Sequence, residues 1–312
     1  VVVGVSMGAT TMDPAHEYEW DAEMMLHSVY PTLVTSDYAD ESKILPCVAS
    51  EWVISDDGLT YTFTLNQGIQ FTTGKELKAS DVAFSLNRLK GAAGNPSFLL
   101  SSVESVEATG DYEVTVTLSE PNPALLNILT RASAGVYDAE VAQANGATCD
   151  SSDDGQAYFD TTSIGCGPYK ISSFNSGSEL VLVKNPDSYF PAGNVDTYII
   201  RNIADSATQQ MELEGGDLDF ALDLTADQTA LLEGNENIKL VSFDTMDIFF
   251  LGLNASEEYG KELANPTVRE AIRYAIDYPG LCALAGNGAT TPAGIIPKGF
   301  LGYAGETTIT RD

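Results

Sequence analysis

The 312-residue sequence predicts an α/β protein carrying a smaller α+β domain, and three observations lead to that expectation. The chain opens strand, loop, helix. A strand-helix-strand unit closes within about twenty-five residues of Thr197, the compact βαβ grouping that builds a sheet with helices on its faces. Between them, residues 43–162 read as short alternating strands around one helix.

The apolar opening VVVGV lacks the basic start and small-residue cleavage site of a signal peptide, and it reads as a first strand. The loop ATTMDPAH follows, then an amphipathic segment over 17–29. After Lys43 come a strand at 52–54 and a hairpin in which Asp57-Gly58 supplies the positive φ of a tight turn. Strict alternation then puts Leu59, Tyr61, Phe63 and Leu65 on one face and Thr60, Thr62, Thr64 and Asn66 on the other. Such a pattern marks a half-buried antiparallel strand. Ser80 is the expected N-cap of a helix with Val82, Leu86 and Leu89 on one stripe and Gly91 beyond its end. Strands at 103–108 and 112–118 flank the turn Thr109-Gly110-Asp111. From Gly167 the expected strands are 169–173, 180–184 and 197–202, followed by a helix capped by Asp205 and stopped by Gly215-Gly216, and a strand at 218–222. A strand at 248–253 precedes a helix with Asn265 as N-cap, Pro266 in its first position, and a buried stripe of Val268, Ala271, Ile272, Ala275 and Ile276.

Forty-five acidic residues against fifteen basic ones give a formal charge of −30, which repels nucleic acid and anionic lipid. The excess is spread along the chain, so it reads as a solvated surface, suited to a saline or extracellular setting, rather than an acidic docking element. No apolar run approaches the ~20 residues of a membrane span. Cys47, Cys149, Cys166 and Cys282 show no CxxC pair and no metal-ligand spacing. Cys149 and Cys166 bracket a polar loop whose closure by a disulfide would stabilise by about 3 kcal/mol, and that pair is the expected disulfide. Cys47 and Cys282 pair or stay as buried thiols.

Gly4-Val5-Ser6-Met7-Gly8 matches GxSxG, but no helix directly follows, and the two histidines, His16 and His27, lie too near it for the hydrolase order. Asp150, Asp153 and Asp154 depart from the calcium-loop spacing. No phosphate-binding glycine loop follows a strand. The expectation is a protein that is not an enzyme and has neither cofactor nor metal.

ILPCVASEWVISDDGLTYTFTLNQGIQFTTGKELKASDVAFSLNRL, residues 44–89, resembles the signature region of the peptide, nickel and oligosaccharide class of ABC-transporter solute-binding proteins, family 5. Further matches keep that family's order: MDPAH at 12–16, IGCGPYKI at 164–171, LVLVKNPDSYF at 180–190, LEGGDLDFAL at 213–222, FFLGLN at 249–254 and NPTVREAIRYAIDYPGL at 265–281. Cys166 stands where the family usually has a small hydroxyl residue. The resemblance implies a periplasmic-binding-protein-like, two-lobe α/β fold (type II, cluster C-like). Lobe I would comprise residues 1–42 and 163–243, the small α+β accessory domain 43–162, and an incomplete lobe II 244–312, with the rest of that lobe expected elsewhere in a longer polypeptide. It further implies capture of a peptide or similar oligomeric solute by hinge closure and delivery to an ABC permease. The location implied is extracytoplasmic, in the periplasm or on the outer face of the cell membrane with a lipid anchor. The competing expectation is a surface or assembly protein, or a processed fragment, that reuses the fold without a transport role.

Ligands of open α/β sheets gather at strand ends. Position therefore selects as expected contacts Thr11, Met12 and Asp13 in the first loop, Tyr18 and Trp20 beyond it, and Phe220, Leu222 and Asp223 at the end of the βαβ unit. Arg131, one of few cations, is the expected clamp for a carboxylate. Against these stand plain alternatives: Met12 and Phe220 as core, and Arg131 as partner to a nearby acid.

Overall fold

The computed structural model describes residues 1–37, 40–242, 248–286 and 288–297, together with 303 and 305. The chain divides into two units, residues 1–223 and 224–312. The strands of the first unit are β1 (Val2–Val5), β2 (Val34–Asp37), β3 (Asp40–Pro46), β4 (Ala49–Ile54), β5 (Thr60–Leu65), β6 (Val103–Gly110), β7 (Glu113–Leu118), β8 (Tyr169–Asn175), β9 (Glu179–Lys184), β10 (Thr197–Asn202) and β11 (Phe220–Ala221). Its helices are α1 (Trp20–Leu26), α2 (Ala79–Gly91), α3 (Leu125–Ile128), α4 (Ala139–Ala144), α5 (Gln156–Phe159) and α6 (Ser206–Gly215).

One sheet has the order β11-β1-β10-β9-β8. β1 is parallel to both β10 and β11 (Val3 opposite Ile200 and Phe220), so the βαβ unit β10-α6-β11 closes around the first strand. The helix between them has the expected ends: the Asp205 carboxylate accepts the Thr208 amide at 2.8 Å, and Gly216 terminates it at φ 82°. β11 is shorter than expected, confined to two residues.

A second sheet, β4-β5-β7-β6, is antiparallel throughout. Tyr61, Phe63 and Leu65 turn inward from β5 into the core that α2 also joins, as the alternation requires, each such side chain contributing about 1.5–3 kcal/mol of hydrophobic stabilisation. α2 starts two residues earlier than expected. Lys78, not Ser80, is its N-cap residue, because the Asp81 carboxylate turns back to accept the Lys78 amide at 3.0 Å, and Gly91 is its last residue rather than lying beyond it. Two cores result: one under the four-stranded sheet, including Cys166, and one joining the five-stranded sheet to α1, Tyr137 and Phe159.

The expected Cys149–Cys166 disulfide is not formed, and all four cysteines are free thiols. Cys149 is exposed, its Sγ 3.8 Å from the Phe84 carbonyl oxygen, whereas Cys166 is wholly buried in the first core. The segment between them is no simple closed loop: it folds into α5, whose Phe159 is drawn into the other core.

The second unit holds α7 (Ala226–Leu232), α8 (Glu257–Gly260), α9 (Pro266–Ala275) and α10 (Tyr278–Ala285). Asn265 caps α9 by accepting the Thr267 amide at 3.0 Å, with Pro266 in the first turn, as expected. Two expectations are corrected here. Residues 248–253 form no strand, and Phe249, Phe250 and Leu251 are exposed. None of the stripe Val268, Ala271, Ile272, Ala275 and Ile276 is buried. A strand needs a neighbouring ladder and an apolar stripe needs an opposing face, and the described residues of this unit supply neither.

Candidate functional site

The loop after β1 runs at the carboxyl end of the parallel strands, where its amides have no ladder to join. Side-chain acceptors take them one by one. Asp223 accepts from Ser6 at 2.6 Å, Asn202 from Met7 at 3.1 Å, and Asp21 from Gly8 and Ala9 at 2.9 and 3.1 Å. Glu17 accepts from Thr10 and Thr11 with one oxygen and from Tyr18 and Glu19 with the other. Asp160 takes the Met12 amide at 2.7 Å and the Thr11 hydroxyl. Part of the acid excess thus serves as scaffold for an irregular backbone.

Behind the loop lies a buried ion cluster. The Arg88 guanidinium, fully buried on α2, donates to both oxygens of Asp13 (2.8 and 2.5 Å) and to both of Asp153 (2.8 Å each), and lies 4.6 Å above the Phe159 ring. Burial alone would raise the Asp153 carboxyl, yet its contacts with His16 and Arg88 hold it well below the usual carboxylate range. His16 Nε2 is 3.5 Å from Asp153, a charge contact rather than a well-formed hydrogen bond, and this contact raises the imidazole against the effect of burial.

These two arrangements place four of the expected contact residues in the support of the loop. Thr11, Met12 and Asp13 are all buried: Met12 is core, Asp13 is the counter-ion of Arg88, and Thr11 is bonded to Asp160. They hold the loop from beneath. Asp223 likewise acts as a latch, binding the Ser6 amide and the Gln209 amide group at 3.2 Å. Ser6 is followed by this loop and not by a helix, while His16 and His27 are engaged by Asp153 and Glu23.

Tyr18, Trp20 and Arg131 fare differently. Trp20 is 58% exposed and Tyr18 38%. The Arg131 guanidinium lies 5.2 Å over the Tyr18 ring, and Phe98, also exposed, meets that ring edge-on at 5.5 Å. Glu23 of α1 anchors the group, pairing with Arg131 at 3.2 Å and accepting the Ala132 amide at 2.7 Å. Burial would raise the Glu23 carboxyl, but His27, Arg131 and the Ala132 amide lower it. Arg131 therefore has the ion partner that the plain alternative foresaw. Its five N–H donors exceed what Glu23 uses, and the side chain remains partly exposed. Phe220 and Leu222 are exposed at the end of β11, the strand beside β1.

Sequence position alone singles out Tyr18, Trp20 and Arg131 but not their neighbours Phe98 and Glu23, nor the loop acceptors Glu17 and Asp160. Phe98 carries a weak local signal, an aromatic in the short 3-10 turn Asn95–Leu100. Glu17 and Asp160 carry none, since their partners are backbone amides.

Residues 43–311 match the family model described as bacterial extracellular solute-binding proteins, family 5 middle. The glutathione-binding protein GsiB of Escherichia coli O1:K1 is 31% identical over 302 residues, 95% of this chain and 56% of GsiB. MoaA from A. tumefaciens R10, solved with mannopinic acid, superposes with a TM-score of 0.84 at 20% identity, over 100% of this chain and 62% of that one. The ABC transporter-associated periplasmic binding protein DppA from Helicobacter pylori, solved with the peptide STSA, gives a TM-score of 0.73 at 25% identity, over 91% and 58% of the two chains. The chain spans about half the length of the curated relatives it matches.

Proposed function

We propose, from the premise that the chain belongs to the bacterial extracellular solute-binding proteins of family 5, that it is the first lobe and the beginning of the second lobe of an extracytoplasmic capture protein. Its solute is a peptide or similar small oligomer, held without chemical change and delivered to an ABC permease. Residues 1–42 and 163–243 make lobe I, 43–162 the accessory domain, and 244 onward the start of lobe II. In the complete protein a solute that touches both lobes only when they meet biases the closed population by its binding energy.

The observation that carries this reading is the exposed set of Tyr18, stacked under Arg131 and met edge-on by Phe98, with Trp20 exposed two residues along, in a chain of charge −30. Ligand sites pair apolar walls with a few placed polar groups, and this group has that composition. Arg131 is the anchor for a solute carboxylate, with Phe220 and Leu222 as further apolar wall. The relatives support an acidic solute: glutathione, a peptide and mannopinic acid each carry a carboxylate.

Thermal unfolding of the complete protein against short peptides, glutathione and sugar acids tests the reading. A true solute at 100 times its Kd stabilises by about 2.7 kcal/mol. Amidating a peptide's carboxyl end should abolish its shift in the native protein, and Arg131→Gln should abolish the preference for the free acid. No shift with any of these compounds, or one indifferent to Arg131→Gln, contradicts the assignment.

A further inference from the structure

Asp21 is wholly buried, and its two carboxylate oxygens are treated differently. Oδ2 accepts the Gly8 and Ala9 amides. Oδ1 is also out of contact with solvent, yet it has no hydrogen-bond partner. It faces the space above Gly8, where an added methyl group would lie 3.4 Å from Asp21 Oδ1 and 3.7 Å from Glu19 Oε2. The two oxygens are therefore within about 7 Å of each other. Glu19 is the N-cap residue of α1, but its side chain makes no capping bond and lies instead toward Asp21, in a position exposed to solvent.

Every other loop carboxylate described above is satisfied: Glu17 and Asp160 by N–H and O–H donors, Asp223 by the Ser6 amide, Asp13 by Arg88. A buried carboxylate oxygen without a donor, facing a second carboxylate, is unfavourable on two counts, desolvation and like charge. One positive centre between them removes both. The geometry points to a cation site formed by Asp21 Oδ1 and Glu19 above Gly8, taking either a hard metal ion such as calcium or a primary ammonium group. The two nearest polar atoms to the space are carboxylate oxygens, donors that suit hard cations better than soft ones. No three His, Cys, Asp or Glu side chains converge as a metal centre among the described residues, so water completes the shell and binding is weak. The site does not depend on the solute-capture reading, since bare cations test it.

Trp20 separates Glu19 from Asp21 in sequence and serves as a reporter beside Trp52, the other tryptophan. The experiment titrates the protein with calcium chloride and, separately, methylammonium chloride, holding ionic strength constant with tetramethylammonium chloride, and follows emission and heat. A saturable response to at least one probe is expected, with apparent Kd raised tenfold or more by Glu19→Gln and by Asp21→Asn, which keeps an oxygen for the Gly8 and Ala9 amides. Response to calcium alone identifies a metal site, and to methylammonium alone an ammonium site. Should Asp21→Asn not fold, Glu19→Gln at the exposed position decides. No saturable response to either probe, or one unchanged by Glu19→Gln, overturns the proposal.

Discussion

Arg88 sits between Asp13 and Asp153 with no exposure, so its removal leaves Asp13 buried without its counter-ion and Asp153 with only the His16 contact. Breaking a buried pair in this way costs about 3–5 kcal/mol. Urea unfolding of Arg88→Ala should show a loss of that order, against a change within about 0.5 kcal/mol for Glu140→Ala on the surface. The cluster also sets a pH dependence. Asp153 is lowered in the fold, so its contribution is complete above the unfolded value of about pH 4 and is lost as pH falls toward the folded one. His16 is raised, so its contribution is complete below about pH 6.5 and is lost as pH rises through its folded value. Melting temperatures from pH 3 to pH 9 should fall on both sides, with Asp153→Asn flattening the acid limb and His16→Gln the alkaline one. Asp13 was legible in the sequence as an acid at a strand end, but its role was not. Its partner lies 75 residues away, and no local spacing joins them.

At the scale of elements, whatever is decided locally was readable. The Asp57-Gly58 hairpin, the Asp205 and Asn265 caps and the Gly216 stop all stand where turn and cap chemistry put them. The strand expected at 248–253 and the buried stripe of α9 depended on partners outside the local sequence, and those two expectations failed. The missed disulfide is of the same kind, since loop length says nothing of which core each cysteine joins. Close packing of the segment before β8 gives a test at this scale. A methyl group on Gly165 or Gly167 would run into the carbonyl oxygens of Val29 and Ser28, which are backbone and cannot rotate aside. Gly165→Ala and Gly167→Ala should each destabilise by about 1–3 kcal/mol in chemical unfolding, the usual cost of overpacking. Gly193→Ala, whose methyl would meet only the Tyr169 hydroxyl at 3.6 Å, should be close to neutral.

For the molecule as a whole, thirty excess negative charges oppose compaction. Raising sodium chloride from 0.05 to 1 M shortens the screening length to about 3 Å and should raise the melting temperature of the native protein. The Arg88 cluster is shielded from salt by burial, so the deficit of Arg88→Ala should persist at 1 M. Fold class and family were legible because the motifs lie in order along the whole chain, and the family match over 43–311 agrees with them. Of the residues that position selects, Tyr18, Trp20 and Arg131 stand exposed, while Thr11, Met12 and Asp13 serve as support beneath the loop, a division that depends on partners distant in sequence. Calorimetric titration of the complete protein with the best solute from the thermal series tests the central claim most directly. One site per chain is expected, with Kd raised tenfold or more by Tyr18→Ala and by Arg131→Gln while urea unfolding stays near native. Unchanged affinity in both variants would place capture elsewhere and contradict the account.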